Sequence, residues 1–224
     1  MKEVEVRYEL MHGRDAMAAI ARMPVGYLPI GCLERHGDHL PMGLDIIKAH
    51  GICCQAAREI GGVVFPPHFY SGIHGMNAQE IAHYTGEWGN IYTDASSERH
   101  LLDIIAQLGI AGIKVLVLYS GHYPQCQLDM IERIAEETNR QGHMRVIPIS
   151  DCYVVSGDHA GVSETSIMLY LDSAEVDMAR IGPENYQDHH WRETNSPEQA
   201  TRERGEAEVT RVIEALRAKI HAAL

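Results

Sequence analysis

The chain has 224 residues, of which 45% are hydrophobic, and a formal net charge of -12. This length and apolar content predict one substantial core and a single domain over residues 1–224. The negative charge, with no long basic cluster to offset it, argues against binding to nucleic acid or to a membrane and favours a small-molecule substrate. Since no apolar run is long enough to cross a bilayer and no N-terminal signal is evident, we expect a cytoplasmic protein.

Strands and helices are predicted to alternate along the chain. Apolar runs predict strands at residues 25–31, 63–65, 113–118 and 145–149. Apolar residues at helical spacing predict helices at 14–22, 46–60, 94–108, around 130–135, at 164–171 and at 209–220. Residues 68–90 and 172–197 have no clear period and are predicted to be irregular. We therefore expect an α/β fold, with a layered and mainly parallel sheet covered by helices on both faces.

A dense polar cluster follows the first predicted strand. It reads Glu34-Arg35-His36-Gly37-Asp38-His39-Leu40-Pro41 and is followed by Asp45. Two imidazoles and three carboxylates in so short a stretch favour a divalent metal site over a polar surface loop. If the chain stays extended, the two-residue spacing of Glu34 and His36 points both side chains the same way. Open α/β sheets bind ligands at the carboxyl ends of their strands, where this cluster is predicted to lie.

Two later segments carry further candidates. His122 directly follows the most apolar strand, so it is either a ligand at the same sheet edge or a histidine that closes a loop by hydrogen bonding. Glu164 is predicted to begin a helix with Ser163 as N-cap, where a carboxylate often serves only to compensate the helix dipole. His159, five residues earlier in a glycine-containing turn, is placed to act as a proton carrier.

The candidate ligands form one set of three carboxylates and two imidazoles from three loops. They are Glu34, His36, Asp45, His122 and Glu164. Such a set can hold two divalent cations, with Asp45 as the shared carboxylate, and its oxygen and nitrogen donors suit Zn²⁺, Mn²⁺ or Fe²⁺. Five cysteines without a CxxC pair argue against disulfides and against a structural zinc-thiolate site, so we expect reduced and mostly buried thiols.

The motifs resemble those of a known family. The run PIGCLERHGDHLPMGLD resembles the opening signature of the creatininase (creatinine amidohydrolase) family, DHAGVSETS resembles its later H-A-G-x-x-E-T-S motif, and VLVLYSGH occupies the place of its strand-then-G-H motif. Through this resemblance, Glu34, His36, Asp45 and His122 match ligands of the family's dinuclear centre. Glu164 matches the glutamate that completes the centre in several members, and His159 matches a histidine implicated in proton transfer. The resemblance also implies an α/β layered fold and a homo-oligomer, commonly a hexamer.

The chain departs from the family pattern at three places. Many members read G-H-G-G-N after the strand, and creatininase itself has a ligating glutamate there, whereas this chain reads G-H-Y-P-Q. Since Pro124 cannot coordinate through its side chain, we expect the second metal either to rely on Glu164 or to be weakly held. Asp38 replaces a usual proline and adds a carboxylate, and residues 85–88 lack the common P-G-T run. Strict specificity for creatinine is therefore not expected.

The predicted function is that of a metal-dependent amidohydrolase, which acts on C–N bonds other than peptide bonds. Hydroxide bridging two metals would attack the carbonyl of a small, cyclic amide or related compound, and His159 would protonate the leaving nitrogen. Tyr123 is predicted to shape the substrate pocket. Two alternatives remain open: a hydrolase that opens a cyclic ketone such as an oxidised inositol at a C–C bond, and a metal-containing ligand-binding protein without turnover.

Overall fold

A parallel sheet forms the centre of the molecule. The computed structural model describes residues 4–94 and 96–224, and within them the sheet has four strands: β1 (Val25–Ile30), β2 (Val63–Val64), β3 (Val115–Ser120) and β4 (Arg145–Ile149). They lie in the order β2-β1-β3-β4 and all pair in parallel. In register, Val25 lies opposite Val115, and Val115 opposite Arg145.

Helices cover both faces of this sheet. Their bounds in the described residues are α1 (Gly13–Arg22), α2 (Leu44–Ile60), α3 (Ala78–Trp88), α4 (Ser96–Ile110), α5 (Gln125–Gln141), α6 (Val162–Leu171), α7 (Pro183–Asp188) and α8 (Arg202–Ala223). Because side chains alternate along a strand, Tyr27 and Val117 pack with α2, α6 and α8, whereas Leu28 and Leu116 pack with α1, α4 and α5. The predicted α/β fold with both faces covered is confirmed.

Three local predictions were wrong. Residues 68–90 were expected to be irregular, but α3 lies within them: its residues are all exposed or half-buried, so no apolar stripe marks it in the sequence. Residues 172–197 contain α7 and short 3₁₀ helices. Helix α6 begins at Val162 with Gly161 as N-cap, and the Ser163 hydroxyl instead donates to Glu208. The helix predicted over residues 94–108 corresponds to α4, which begins at Ser96; residue 95 lies outside the described residues.

The order of the strands places a ligand crevice between β1 and β3. The chain leaves β1 towards β2 on one side and leaves β3 towards β4 on the other, so the loops after β1 and β3 diverge. Open α/β sheets bind ligands at such a switch point, beyond the carboxyl ends of the strands. The first of these loops carries Glu34 and His36, and the second carries His122. In the part of the chain that is described, no helix combines the length and apolar character needed to span a membrane.

Candidate metal centre

The structure brings the five predicted ligand residues together around one cavity of about 370 Å³. Glu34 and His36 come from the loop after β1, His122 from the loop after β3, and Asp45 and Glu164 from the first turns of α2 and α6. All five are buried, with at most 7% of their surface exposed. The two helix N-termini favour the charged form of the carboxylates that they carry.

Two glycines allow Asp45 to reach this position. A Cβ atom on Gly31, at the end of β1, would lie 2.9 Å from the Cβ of Asp45. A Cβ atom on Gly121, at the end of β3, would lie 1.9 Å from the carbonyl oxygen of Asp45. Any larger residue would push the start of α2 away from the strand ends, so both glycines are needed for the centre to form.

The ligand atoms divide into two sets that share Asp45. In the first, which we call the Glu34 set, His122 Nδ1 lies 3.1 Å from Glu34 Oε2 and 3.2 Å from Asp45 Oδ2, and Cys32 adjoins them. In the second, the His36 set, His36 Nε2 lies 3.2 Å from Asp45 Oδ1 and 3.6 Å from Glu164 Oε2. The two oxygens of Asp45 thus face different sets, as a bridging carboxylate requires.

The histidine tautomers fit a cation in each set. His36 Nδ1 lies 2.9 Å from the Glu34 carbonyl, and His122 Nε2 lies 3.2 Å from the Ile73 carbonyl. A carbonyl can only accept, so those ring nitrogens are protonated, and the other nitrogen of each ring faces carboxylate oxygens at 3.1 to 3.6 Å. A nitrogen and a carboxylate oxygen this close need a positive charge between them, which a second ring proton supplies in the metal-free protein and which a divalent cation can supply in its place. The residues therefore fit a divalent cation in either set.

The carboxylates and imidazoles of the centre shift one another's pKa values. Burial would raise the pKa of Asp45, but His36 and His122 outweigh it and hold that pKa well below its usual value. Burial would likewise lower the pKa of His36, but the carboxylates of Asp45 and Glu164 raise it to about 9. Carboxylates that stay ionised while buried among imidazoles form a site that attracts cations strongly.

A buried network holds Glu164 in place. Lys48 Nζ, which is fully buried, lies 2.7 Å from Glu164 Oε1 and 3.0 Å from Asp151 Oδ2. The Tyr123 hydroxyl lies 2.8 Å from the same Glu164 oxygen, and the Ala160 N–H donates to Glu164 Oε2 at 2.7 Å. Ala160 has a φ of 54°, an unfavourable angle for alanine that this hydrogen bond helps to hold. Glu164 therefore has little freedom to turn away from the His36 set.

Glu34 is oriented by a shorter chain of hydrogen bonds. The Tyr92 hydroxyl donates to Glu34 Oε1 at 2.7 Å, and the Asn90 side-chain amide donates to Tyr92 at 2.8 Å. Asn90 in turn accepts from the Arg35 N–H at 2.8 Å. Glu34 Oε1 is thereby occupied, which leaves Oε2 for the Glu34 set.

His159 lies beside the two sets. Its ring is 4.4 Å from that of His36, and one of its nitrogens lies within 4.8 Å of ligand atoms of Glu34 and His36. His159 Nε2 lies 3.1 Å from the Arg35 carbonyl and must donate to it, so Nδ1 is the free acceptor. Burial, together with the charge of His36, lowers the pKa of His159, which favours a neutral ring near pH 7.

The remaining predicted residues occupy varied positions. Tyr123 borders the cavity, but its hydroxyl contacts Glu164 and the Asp158 carbonyl, so a direct part in substrate binding stays a prediction. Asp38 points away from both sets and contacts Arg35 and Asn185. Glu164 belongs to the His36 set, so it lies where one of the two cations would be held, and the reliance of the second metal on Glu164 stays a prediction.

Sequence reasoning missed several residues of the site. Lys48 follows Asp45 by three residues on α2, a helical spacing that could have pointed to it. Cys32 precedes Glu34 by two residues, a strand spacing that places both on one side, yet it was interpreted only as a buried thiol. Nothing in the sequence pointed to Tyr92, because it lies between the aperiodic segment 68–90 and the next predicted helix. The outer wall of the cavity is formed by Tyr84 and Trp88 of α3, together with His74 and His189.

A parallel sheet covered on both faces, with acidic and imidazole side chains buried at its carboxyl edge, defines an α/β protein with a candidate site for two cations. Comparisons with known proteins identify the family. The sequence model of the creatininase family, described as creatinine amidohydrolase, matches residues 9–220. The chain therefore belongs to the creatininase family, and the resemblance in its motifs is confirmed.

Individual relatives agree with this assignment. A creatinine amidohydrolase from Pseudomonas putida is 29% identical over 175 residues, which span 69% of this chain and 66% of that relative. A crystal structure of creatinine amidohydrolase (creatininase) superposes with a TM-score of 0.77 at 25% identity and covers 96% of each chain. A mutant creatininase described as Zn-Zn type also gives a TM-score of 0.77, at 23% identity over 98% of each chain.

Proposed function

We propose that the protein is a metal-dependent amidohydrolase whose two divalent cations are held by the Glu34 set and the His36 set. The observation that carries this proposal is that each set turns an imidazole nitrogen towards carboxylate oxygens at 3.1 to 3.6 Å, so that a cation can replace the ring proton between them. Asp45 would bridge the two cations through its two oxygens. Cations held in this way supply a Lewis acid for a substrate carbonyl and lower the pKa of a coordinated water.

Relatives support the reaction class and the kind of cation. The Pseudomonas putida relative is a creatinine amidohydrolase, and one solved creatininase is described as Zn-Zn type. We carry over from them hydrolysis of a C–N bond and a pair of zinc ions, with manganese as a further candidate, because nitrogen and carboxylate donors accept both.

His159 is the proton carrier in this proposal. Because its pKa is lowered, the ring is neutral near pH 7 and must take up a proton at Nδ1 before it can give one to the leaving nitrogen. The proton released when water attacks the carbonyl is the natural source. The Arg35 carbonyl keeps Nε2 protonated throughout, which fixes the ring with Nδ1 free for this transfer.

The cavity suits a small substrate. A volume of about 370 Å³ is near the lower end of the range for ligand pockets. Tyr84 and Trp88 line the same cavity as the acidic sets and offer flat aromatic surfaces, which suit a planar ring with a carbonyl. We therefore propose a small cyclic amide as the substrate class, with creatinine as the first compound to test.

The test compares metal-stripped and metal-loaded protein on creatinine, other lactams and formamides. We expect hydrolysis only after zinc or manganese is restored, and we expect His36→Ala to lose both bound metal and turnover. His143→Ala, which alters an exposed histidine, serves as the matched control and should retain both. Full activity after exhaustive chelation would exclude the proposal, and tight binding without product across the panel would favour a ligand-binding protein.

Two further properties stay predictions. The family resemblance predicts a homo-oligomer, which light scattering of the purified protein would detect. A cytoplasmic location is expected from the sequence and would be tested by fractionation of the native host.

A further inference from the structure

Cys32 is a part of the Glu34 set that the proposed function does not use. It is fully buried in the loop after β1, and its Sγ lies 3.3 Å from Asp45 Oδ2 and 4.0 Å from Glu34 Oε2. His122 Nδ1 lies 3.2 and 3.1 Å from the same two oxygens. One sulfur, one nitrogen and carboxylate oxygens from two residues thus lie within 4.8 Å of one another.

The separations match the edges of a tetrahedral zinc site. Zinc bonds of about 2.3 Å to sulfur and about 2.0 Å to nitrogen and oxygen, at tetrahedral angles, place nitrogen about 3.3 Å and sulfur about 3.5 Å from each oxygen. The observed nitrogen–oxygen separations are 3.1 and 3.2 Å, and the sulfur–oxygen separations are 3.3 and 4.0 Å. Of these four edges, only the one between the sulfur and the Glu34 oxygen is clearly too long, so the sulfur would have to move towards Glu34.

Cys32 does not occupy the cavity in which the substrate would bind. Among the described residues, the cavity wall includes Glu34, Asp45 and His122 but not Cys32, so the buried sulfur does not border the cavity. The thiol is also confined there, because a Cβ atom on Gly72 would lie only 2.3 Å from the Cβ of Cys32. A buried and confined sulfur is pre-organised for a ligand position that does not compete with substrate.

We infer that Cys32 is a fourth protein ligand, through Sγ, of the cation held by the Glu34 set. Binding breaks the S–H bond, passes its proton to solvent and forms a sulfur–metal bond, with no change of oxidation state. The turn after β3 supplies only His122 to this set, since the side chain of Pro124 has no donor atom. A thiolate is a soft ligand, so the Glu34 set selects zinc over manganese. This inference rests on the metal centre proposed above.

Cobalt substitution tests the inference directly. Protein loaded with Co²⁺ should show a near-ultraviolet sulfur-to-cobalt charge-transfer band together with the visible bands of tetrahedral cobalt. Cys32→Ser should lose the charge-transfer band, retain visible bands from the remaining ligands and bind zinc at least about tenfold more weakly. Cys152→Ser, which alters a half-buried thiol outside both sets, is the matched control and should retain the band.

A second variant and a second measurement test the inference even if Cys32→Ser does not fold. If Cys32→Ser does not fold, Gly72→Ala should displace the thiol and weaken the same band. In zinc-loaded protein, X-ray absorption should detect one sulfur neighbour at about 2.3 Å. Bound cobalt with no charge-transfer band, or a band that survives Cys32→Ser, would overturn the inference and leave Cys32 as a hydrogen-bond donor to Asp45. Failure of the wild-type protein to bind any divalent cation would instead refute the metal centre itself.

Discussion

At the scale of single residues, Lys48 balances the charge of the candidate centre. It is fully buried and bridges Asp151 and Glu164 at 3.0 and 2.7 Å, and its Nζ lies 4.7 Å from the centre of the Tyr123 ring. Burial would lower the pKa of Lys48, but the two carboxylates raise it well above its usual value. The side chain thus stays charged and connects the His36 set to the loop after β4.

Lys48→Met should destabilise the metal-free protein by about 3 to 5 kcal/mol, because it leaves two carboxylates buried without their partner. The deficit should shrink as the pH falls from 8 to 5. Burial raises the pKa of an unpaired carboxyl above its unfolded value, so protonation relieves the folded state first. Urea denaturation at several pH values measures both effects.

The matched control for this prediction is Lys219→Met. Lys219 is exposed on α8, and its replacement should change the free energy of unfolding by no more than about 0.5 kcal/mol. If the two variants were equally stable, the buried ion pairs of Lys48 would contribute nothing to folding.

His39 should make the protein acid-sensitive. Burial and the charge of His36 lower its pKa to about 4, from an ordinary value of 6.5. Between these values the unfolded chain binds a proton that the folded protein does not, so stability is lost as the pH falls from about 6.5 to about 4. The loss is about 3 kcal/mol.

His39→Gln tests this pH dependence and can keep a hydrogen bond to Thr165, whose hydroxyl lies 2.9 Å from His39 Nε2. Its free energy of unfolding should fall less steeply with acidity over that interval. His143→Gln, at an exposed position, should follow the wild-type curve. Parallel curves for wild type and His39→Gln would show that another group carries the acid sensitivity.

At the scale of elements, the sequence predicted those helices and strands that bury apolar residues in a regular pattern. Strands β1 and β3 are buried along their whole length, and α8 has a stripe that includes Val209, Val212 and Leu216. Helix α3 was not predicted because none of its residues is buried; it lines the cavity with Tyr84 and Trp88, and a polar cap at Asn77 satisfies its first N–H groups. The regular spacing of apolar residues indicates which face of a helix is buried, so a helix without a buried face is not predicted by such spacing.

The Asn77 cap is therefore expected to control α3 locally. Its side chain accepts hydrogen bonds from the N–H groups of Gln79 and Glu80, and Glu80 returns one to the Asn77 N–H. Asn77→Ala should cost about 1 kcal/mol, so the amides of α3 should exchange with deuterium about fivefold faster. The melting temperature should hardly change, because α3 opens without disturbing the core.

Thr201→Ala is the matched control for this cap. The Thr201 hydroxyl caps α8 by accepting from the Arg204 N–H at 3.1 Å, but α8 is packed into the core through seven buried residues. The same loss of about 1 kcal/mol should therefore lower the melting temperature by about 2 to 4 °C. An Asn77→Ala variant that melts equally early would show that α3 belongs to the cooperative core.

At the scale of the whole molecule, the sequence indicated which residues lie close together but not how they divide into the Glu34 set and the His36 set. Strand ends and motif order were enough to bring Glu34, His36 and His122 to one edge of the sheet. The division into two sets depends on which oxygen of Asp45 faces which ring, and on Gly31 and Gly121 allowing α2 to approach. These are distances of a few ångströms between segments far apart in the chain, which no local pattern encodes.

The two sets also couple metal binding to the stability of the entire fold, since their ligands come from the ends of β1 and β3 and the starts of α2 and α6. Zinc at one hundred times its dissociation constant should stabilise the protein by about 2.7 kcal/mol for each site filled. The melting temperature should rise by about 5 to 10 °C for each site filled, relative to chelated protein. Asp45→Asn should abolish this rise, because both sets share Asp45, whereas Asp103→Asn, at an exposed aspartate on α4, should retain it. A rise that survives Asp45→Asn would place the stabilising cation outside the two sets.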